Sequence, residues 1–391
     1  MLQSPVAIPL PTVPPRAETP RDWLRRHGGD TPVLLSCPEA LAARHASFRR
    51  GFPGEVTYAV KANPDAAVIA QLAAEGMRAF DVASPAEMAL VHGLCPEAAL
   101  HYHNPVRSRA EIRAGIAAGV ASWSVDDMAE FDKLIAEGVG REAEIAVRLK
   151  LPVAGAAYDF GAKFGAVPEL ARALLRRAAE AGFRVSMTFH VGTQCADPAA
   201  WTTYIGACAD LARGAGVRLA RLNVGGGFAS GRDGIAPDHE PVFAAISRGV
   251  AAFEDAPALV CEPGRGLVAD SMAYAVPIKA RRGAALYLGD GIYGGLSECP
   301  SIGVPSVDLV PHDGRSLGPD QPFVLFGPTC DSLDRLPGET RLPGCAAEDD
   351  WLLFCSAGAY LVGVTTCFNG YGTYDRAEVA RLWTERSRPL G

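Results

Sequence analysis

The segment VTYAVKAN (residues 56–63) is a short apolar run that leads into a lysine, and seven similar runs follow it. Those runs are RAFDVAS (78–84), ALHYHNP (99–105), SWSVDD (122–127), IAVRLKL (145–151), RVSMTFHVG (184–192), RLNVGGGF (221–228) and ALVCEP (258–263). Most are separated by stretches rich in Ala, Leu, Arg and Glu with helical spacing, such as PELARALLRRAAEAG (168–182). An open doubly wound sheet would also fit this alternation, but eight successive strand–helix units favour a closed parallel (β/α)8 barrel.

The sequence after Arg265 changes to β-like runs between Gly, Pro and Asp turns, with little helical spacing. The runs are VADSMAYAVPIKARR (268–282), ALYLGDGIYGG (285–295), FVLFGPTC (323–330), DWLLFCSAGAYLVG (350–363) and VTTCFNGYG (364–372). They predict an antiparallel β-barrel or β-sandwich domain. We therefore expect an α/β protein in which residues 1–35 contribute to the β domain, residues 36–268 form the barrel and residues 269–391 form the β domain.

The composition is that of an ordinary globular protein, with 49% hydrophobic and 21% charged residues. A net charge of −7 gives no reason to expect a nucleic acid or an anionic membrane as partner. The proline-rich N-terminus lacks the features of a signal peptide, and no apolar stretch is long enough to span a membrane. The ten cysteines form no CxxC pair, so we expect no bound metal, no disulfide framework and a location in the reducing cytoplasm.

Polar or glycine residues stand at the ends of six of the eight strand candidates. They are Lys61, Asp81, Arg148, His190, Glu262 and the triple glycine Gly225, Gly226 and Gly227. In a (β/α)8 barrel the carboxyl ends of all strands meet at one mouth, where barrel enzymes build their active sites. A single lysine at a strand end would be an ordinary surface charge, but six matching strand ends predict an active site at this mouth.

The chemistry of these residues predicts a particular ligand. A lysine buried at the mouth has a lowered pKa and can form a Schiff base with an aldehyde. Backbone N–H groups of a glycine loop can approach an anion such as a phosphate, and EPGRG (262–266) adds a carboxylate, Gly264 and the cation of Arg265. A flat ring with an aldehyde, a phosphate and a basic nitrogen matches all of these groups, and pyridoxal phosphate (PLP) is such a ligand.

Seven motifs, in this order, resemble those of the ornithine/diaminopimelate/arginine decarboxylase family, the fold type III enzymes that depend on PLP. They are YAVKAN (58–63), FDVAS (80–84), FHVGTQ (189–194), NVGGGF (223–228), CEPGR (261–265), GPTCDS (327–332) and TTCFNGY (365–371). The resemblance spans residues 55–372 and is strongest to the ornithine branch. It implies a PLP-binding barrel, followed by a C-terminal β domain, with amino acid decarboxylase activity.

The resemblance also implies roles for the residues of the barrel mouth. Lys61 forms the Schiff base, His190 stacks on the cofactor ring, and Glu262 pairs with the ring nitrogen and keeps it protonated. The remaining cofactor residues are Gly225, Gly226, Gly227, Gly264, Arg265 and Tyr360 around the phosphate, and Asp81, Arg148 and Thr193 beside the lysine and the ring. The related alanine racemases place an arginine against the ring nitrogen, so Glu262 favours decarboxylation over racemisation.

The motif GPTCDSLD (327–334) carries the second half of the implied site. By resemblance, Cys330 donates the proton that Cα needs after CO2 leaves, and it comes from the second subunit of a head-to-tail homodimer. Asp331 pairs with the distal ammonium group of a diamino acid substrate. Further substrate residues are Tyr293, Phe368 and Ser301.

The substrate is less sharply defined than the catalyst. Aspartate after the cysteine is typical of the ornithine branch, and glutamate of the diaminopimelate branch, so Asp331 favours conversion of ornithine to putrescine. Ornithine-type enzymes carry a further acid before this motif, but LSECPSIGVPSVDLV (296–310) places Ser301 there, with Glu298 and Asp308 out of register. Lysine, diaminopimelate or a pathway-specific modified amino acid therefore stay open as substrates. A non-catalytic regulatory relative would be expected to lose Lys61, Glu262 or the Cys-Asp pair, and this chain keeps them all.

Overall fold

Two helices and a strand precede the barrel. A computed structural model describes residues 18–152 and 162–382. In it, α1 spans Pro20–His27, β1 spans Val33–Ser36 and α2 spans Pro38–Gly51. Helix α1 begins at a capping box, because the Thr19 hydroxyl accepts from the backbone N–H of Asp22 and the Asp22 carboxylate accepts from Thr19 in return.

Parallel strands form a closed barrel. Their bounds are β2 (Glu55–Val56), β3 (Tyr58–Ala59), β4 (Ala79–Val82), β5 (Ala99–Tyr102), β6 (Ser122–Val125), β7 (Glu144–Leu149), β8 (Arg184–Phe189), β9 (Arg221–Asn223) and β10 (Ala258–Cys261). β2 and β3 are the two halves of the first strand, since β2 pairs with β10 and β3 pairs with β4. The intervening neighbours also pair in parallel, so the eight strands close on themselves, which confirms the predicted barrel.

Helices connect the strands of the barrel. Their bounds are α3 (Ala66–Ala74), α4 (Pro85–Leu94), α5 (Arg109–Ala117), α6 (Met128–Ala136), α7 (Pro168–Glu180), α8 (Pro198–Ala215), α9 (Glu240–Gly249) and α10 (Arg265–Val268). Side-chain caps define where several of them begin. Asp65, Asp127 and Asp197 each accept a hydrogen bond from the backbone N–H two residues later.

A second sheet follows the barrel in sequence. Its further strands are β11 (Met272–Arg282), β12 (Ala285–Leu288), β13 (Val307–Val310), β14 (Asp320–Phe326), β15 (Thr340–Pro343), β16 (Trp351–Phe354) and β17 (Asp375–Glu378). Two short helices, α11 (Cys299–Ile302) and α12 (Leu361–Val364), lie between them in sequence. The path β13–β16–β11–β12–β14–β15 forms the main sheet, and β1 joins it by pairing with β11 and β17. The predicted combination of a barrel with a β domain is therefore confirmed.

Two details of the second sheet differ from the sequence predictions. The run VTTCFNGYG (364–372) contains the end of α12 and a 3-10 turn at Phe368–Gly370 instead of a strand. Asn369, Gly370 and Gly372 have φ angles of 53°, 80° and 93°, which a β-strand cannot use, so the segment turns. The sheet is also not wholly antiparallel, because the β1–β17 and β12–β14 pairs are parallel.

The apolar core is continuous from the barrel into the second sheet. It contains Phe80 and Trp123 of the barrel together with Tyr274 and Leu288 of the second sheet, all of them buried. Strand β1 supplies the link from the N-terminal segment, but the proposed limits 1–35, 36–268 and 269–391 stay a prediction. Within the described residues, no helix combines the length and apolarity needed to cross a membrane.

Candidate active site

A cleft opens at the mouth where the carboxyl ends of the barrel strands meet. It is lined by Ala59, Phe228 and nine of the residues predicted to bind the cofactor, namely Lys61, His190, Thr193, Gly226, Gly227, Glu262, Gly264, Arg265 and Tyr360. The other three predicted cofactor residues, Asp81, Arg148 and Gly225, are not among the lining residues, although Asp81 lies 3.6 Å from Lys61. The part of the chain that follows the barrel also contributes to the cleft, because Tyr360 lies just before α12.

Lys61 lies in a single 3-10 turn, Val60–Ala62, directly after β3. Its side chain is 45% exposed, and its Nζ is 3.6 Å from Oδ2 of Asp81. Asp81 is buried, and its Oδ1 has no hydrogen-bond partner among the described residues. Buried carboxylate oxygens are normally satisfied, so this oxygen indicates a place where a ligand or water donates.

The electrostatics of the Lys61–Asp81 pair stabilise a protonated amine beside a carboxylate whose pKa is raised. Burial and the charge on Glu262 raise the pKa of Asp81 to about 7. Burial alone would lower the pKa of the Lys61 amine, but the charge on Asp81 and other nearby groups outweighs burial and raises it, so the lowered pKa expected from the sequence is wrong. The amine is therefore held protonated, and its neighbouring carboxylate titrates in the neutral range.

The triple glycine after β9 forms a loop that requires glycine. Gly225 and Gly227 have φ angles of 69° and 93°. A Cβ atom on Gly225 would lie 2.0 Å from the carbonyl oxygen of Phe189, and one on Gly227 would lie 2.3 Å from that of Gly192. The backbone thus passes close to the end of β8 while Gly226 lines the cleft, and such a loop can present N–H groups to an anion.

Arg265 supplies a buried cation at the cleft. Its guanidinium donates to both carboxylate oxygens of Glu298, with Nη1 2.7 Å from Oε2. It also lies 4.9 Å from the ring centre of Tyr360. The remaining donor, Nε, is buried and has no hydrogen-bond partner among the described residues. An arginine with a donor left over at a cleft suits a phosphate group.

Glu262 directly follows β10 and is buried. Its Oε1 accepts a hydrogen bond from Nδ2 of Asn223 and makes a short contact with Nδ1 of His103. Burial alone would raise the pKa of Glu262, but the charge on His103 and these hydrogen bonds outweigh burial and hold the pKa well below its usual range. Glu262 is therefore a carboxylate at neutral pH and can face a protonated ring nitrogen.

His190 is a neutral imidazole at the cleft. It follows β8 directly, and its Nδ1 accepts a hydrogen bond of 3.0 Å from the backbone N–H of Gly192. Burial and the nearby cations Arg148 and Lys61 lower the pKa of His190 to about 3. An uncharged ring in this place suits stacking on the flat face of a ligand.

Three buried residues offer ligand atoms close enough to surround a cation. One atom each from Asp81, His103 and Glu262 lies within 4.8 Å of the others. His103, however, contacts Glu262 through Nδ1 and Ser122 through Nε2, so neither ring nitrogen offers a free lone pair. The expectation that the protein binds no metal stays a prediction.

Four residues predicted to act on the substrate side lie together with Asn369 on the surface. The surface cluster is defined here as these five residues, Tyr293, Cys330, Asp331, Phe368 and Asn369. The Tyr293 hydroxyl donates to Asp331, and the rings of Tyr293 and Phe368 lie 4.9 Å apart. Oδ1 of Asn369 accepts a hydrogen bond of 3.0 Å from the backbone N–H of Cys330, whose side chain is exposed. None of the five lines the cleft in the part of the chain that the structure describes.

Ser301 is exposed in α11 and neither lines the cleft nor belongs to the surface cluster. The acids that flank it are both in ion pairs. Glu298 pairs with Arg265, and Asp308 pairs with Arg21 at 3.0 Å. A role for Ser301 in substrate binding stays a prediction.

A parallel barrel whose mouth combines a lysine, a carboxylate and a glycine loop defines the class of PLP-dependent barrel enzymes. The family described as pyridoxal-dependent decarboxylase, pyridoxal binding domain, matches residues 39–269. The chain therefore belongs to the ornithine/arginine decarboxylase family of pyridoxal-dependent decarboxylases. This confirms the predicted family, cofactor and enzyme class.

Individual relatives are similar over most of their length. Ornithine decarboxylase of Panagrellus redivivus is 30% identical over 382 residues, which cover 88% of this chain and 85% of that protein. The structure of Paramecium bursaria Chlorella virus arginine decarboxylase bound to agmatine has a TM-score of 0.81 at 26% identity, covering 91% of this chain and 98% of that one. Lysine/ornithine decarboxylase from Vibrio vulnificus, complexed with putrescine, has a TM-score of 0.78 at 26% identity, with 91% and 96% covered.

The residues of the cleft fit PLP. Lys61 presents an amine, Glu262 presents a carboxylate, and the glycine loop with Arg265 suits the phosphate. Of the buried atoms that have no hydrogen-bond partner among the described residues, Oδ1 of Asp81 and Nε of Arg265 belong to predicted cofactor residues, and a polar ligand would satisfy them.

Neither His103 nor Asn223 is predicted from the sequence as a site residue, although both contact Glu262. A signal for them exists, because ALHYHNP (99–105) and RLNVGGGF (221–228) place polar residues where strands approach the mouth. As for the other strand-end residues, their place at the centre of the site follows only from the closure of the barrel.

Proposed function

We propose that this chain decarboxylates a basic L-amino acid, with ornithine as the first candidate substrate and putrescine and CO2 as the products. We further propose that each active site is shared between two copies of the chain. The observation that carries the proposal is the grouping of Lys61, Asp81 and Glu262 at one cleft, which suits a PLP-dependent reaction at an amino acid. The separate surface cluster with Cys330 and Asp331 supports the shared site.

The carboxylates of Asp81 and Glu262 have different proposed roles in the reaction. PLP, when bound, supplies an aldehyde for covalent attachment and a ring that accepts the electrons of a bond broken at Cα. Asp81, whose Oδ2 lies 3.6 Å from Nζ of Lys61, is the proposed acceptor of the proton that the amine must lose in order to react, and its pKa of about 7 lets it give that proton back near neutral pH. Glu262 stays ionised and stabilises a proton on the ring nitrogen.

Cys330 is the proposed donor of the proton that Cα needs after CO2 leaves. A thiol serves as a general acid when it is placed beside the reacting carbon. In its own chain Cys330 is exposed and lies outside the cleft. A two-fold dimer in which the surface cluster of one copy meets the cleft of the other brings Cys330 of the partner subunit to the substrate.

Asp331 is the proposed partner of the distal ammonium group of the substrate. The Tyr293 hydroxyl and the backbone N–H of Leu333 donate to its carboxylate and lower its pKa. An ionised carboxylate held in a fixed position is the group that binds an ammonium ion through a charge-assisted hydrogen bond. Similar proteins named for ornithine, lysine and arginine support a basic substrate.

A second candidate function is decarboxylation of lysine, diaminopimelate or a pathway-specific modified amino acid. The observation that favours it lies in α11, where Ser301 stands in place of the expected acid. The flanking acids Glu298 and Asp308 are each paired with an arginine. Asp331 then contacts the distal group of the substrate without a second carboxylate beside it. This arrangement suits a distal group other than that of ornithine.

A substrate panel tests the proposal. Purified protein with PLP is assayed with ornithine, lysine, arginine and meso-diaminopimelate, and the amine product and CO2 are both quantified. We expect the highest kcat/KM with ornithine. The slowest turnover with ornithine would reject it as the substrate, and no turnover of any basic amino acid would reject the whole proposal.

The proposed location is the cytoplasm. No disulfide joins any of the ten cysteines, all of which lie in the described residues, and Cys330 and Cys367 are exposed. Free thiols persist in reducing compartments, and a reduced thiol at Cys330 is also what the proposed proton transfer requires.

A further inference from the structure

His103, the residue after β5, contacts Glu262 from within the barrel and is 6% exposed. Its Nδ1 makes a short contact with Oε1 of Glu262, and its Nε2 is 2.9 Å from Oγ of Ser122. Because both ring nitrogens are engaged, the partners determine which of them carries a hydrogen.

The Ser122 side of the ring requires a hydrogen on Nε2. Glu144 is ionised, because Arg221 donates to it twice, from Nε at 2.7 Å and from Nη2 at 2.9 Å. The Ser122 hydroxyl lies 2.9 Å from Oε1 of Glu144, and since a carboxylate only accepts, the single hydroxyl proton points there. The hydroxyl oxygen can then only accept from His103.

The Glu262 side of the ring places a second proton between Nδ1 and Oε1. Oδ1 of Asn223 accepts from the backbone N–H of Gly225 at 2.9 Å, which fixes the amide so that Nδ2 donates to Oε1 of Glu262. Burial alone would lower the pKa of His103 and raise that of Glu262, yet their attraction reverses both directions. The pair is therefore an imidazolium facing a carboxylate.

Other charged and titratable groups face this pair from the surrounding strands. They are Lys61 after β3, Asp81 on β4, His101 on β5, Glu144 and Arg148 on β7, His190 after β8 and Arg221 on β9. His101 stacks on His103 with ring centres 5.6 Å apart and is neutral, because burial and the cations His103 and Arg221 lower its pKa to about 3. Arg221 is itself held by Glu144, so the positive charge of His103 has acidic neighbours on both sides.

We propose that His103 is a positioning residue that keeps Glu262 ionised and leaves the second oxygen, Oε2, for the ring nitrogen of the bound cofactor. The inference rests on the proposed role of Glu262 and deepens it. Both donors fall on Oε1 in residues 18–152 and 162–382, so Oε2 is the oxygen left to meet the cofactor. Without the imidazolium, burial favours the protonated acid, which no longer offers a charge to a protonated ring nitrogen.

The test is the affinity of the full-length protein for PLP at two pH values, expressed as the ratio of variant to wild type. His103→Gln keeps a hydrogen-bond donor but removes the positive charge. We expect a ratio near one at about pH 8 and about tenfold weaker binding at about pH 6, since each pH unit below the pKa of a required carboxylate costs about tenfold. His101→Gln is the matched control, because it removes a neighbouring buried imidazole that is neutral, and it should change neither value.

Several results would overturn the proposal. Equal weakening at both pH values in His103→Gln, or no weakening, would mean that His103 only fills space. If His103→Gln does not fold, Ser122→Ala provides the second measurement, because it removes the acceptor at Nε2 and should weaken binding selectively at the lower pH. An unchanged pH profile in Ser122→Ala would also reject the proposal. A wild-type protein that binds no PLP at either pH would instead reject the role of Glu262 itself, and the inference with it.

Discussion

We expect Asp81, whose Oδ2 lies 3.6 Å from Nζ of Lys61, to control the proton of that amine. Asp81→Asn keeps the shape of the side chain but removes both the charge and the proton acceptor. Below the Asp81 pKa of about 7 the wild-type carboxylate takes up a proton and can no longer accept one, so attachment of PLP to Lys61 should slow as the pH falls. We expect the variant to attach PLP about a hundredfold more slowly, as for loss of a positioned base, and without this pH dependence.

Stopped-flow absorbance of PLP binding, followed across the pH range, measures the Asp81 effect. The control is Asp127→Asn, which changes a capping aspartate at the start of α6. A titration near pH 7 that persists in Asp81→Asn would show that another group controls the proton of Lys61.

Replacement of Cys330 should reduce product formation and leave PLP binding unchanged. Because the thiol is exposed and lies outside the cleft of its own chain, Cys330→Ala should bind PLP as the wild type does. We expect amine formation to fall by about a hundredfold or more, since a positioned acid contributes about 10²–10⁴-fold. The proton should reach Cα slowly or be delivered to a different atom. The amine product is quantified by mass spectrometry.

Cys367→Ala is the matched control for Cys330, because Cys367 is the other exposed cysteine. It should retain both PLP binding and amine formation. Loss of PLP from Cys330→Ala would show that Cys330 has a structural role instead.

The sequence predicts some site residues and not others for a physical reason. Lys61, His190 and Glu262 each follow a strand, so the barrel pattern alone places them at one mouth. The contacts of Glu262 with His103 and Asn223 join residues 159 and 39 positions apart, across the interior of the barrel. Such pairs depend on how the strands close, and no local periodicity encodes them.

The elements differ in how well the sequence predicts them. Barrel strands are buried on both faces, so they read as apolar runs with clear ends, and all eight could be located. The strands β13, β15 and β17 of the second sheet span four residues each and are partly exposed, so they carry no such signal and are not predicted. The segment 364–372 has apolar and aromatic residues but turns because of its positive φ angles.

The glycine loop gives a test at the scale of an element. Gly227→Ala should destabilise the fold by on the order of 1–3 kcal/mol and weaken PLP binding, because its φ is 93° and the new Cβ would lie 2.3 Å from a carbonyl oxygen. Urea unfolding and PLP titration measure the two effects.

Gly216→Ala is the control for Gly227, since Gly216 has a φ of 68° at the end of α8 with open space around it. It should cost stability through φ alone and leave PLP affinity unchanged. Equal PLP affinity in both variants would mean that the close approach at Gly227 has no part in binding the phosphate.

At the scale of the whole molecule, the cleft and the surface cluster lie on different parts of one chain. Exposed apolar side chains accompany the cluster, with Leu333 71% and Phe368 41% exposed. Apolar groups grouped on a surface in this way are typical of an interface with another protein. A second copy of the chain would cover them and complete the site in the same step, and this arrangement cannot be read from the fold of a single copy.

Complementation between Lys61→Ala and Cys330→Ala tests the shared site most directly. Each variant alone damages both sites of its dimer, and amine formation should nearly vanish. When the two are mixed and allowed to exchange subunits, about half of the dimers carry both substitutions at one site and neither at the other, so amine formation should recover to about a quarter of the wild-type value. Activity that stays at the sum of the separate variants, although subunits have exchanged, would contradict the account, because Lys61 and Cys330 would not then meet across two copies of the chain.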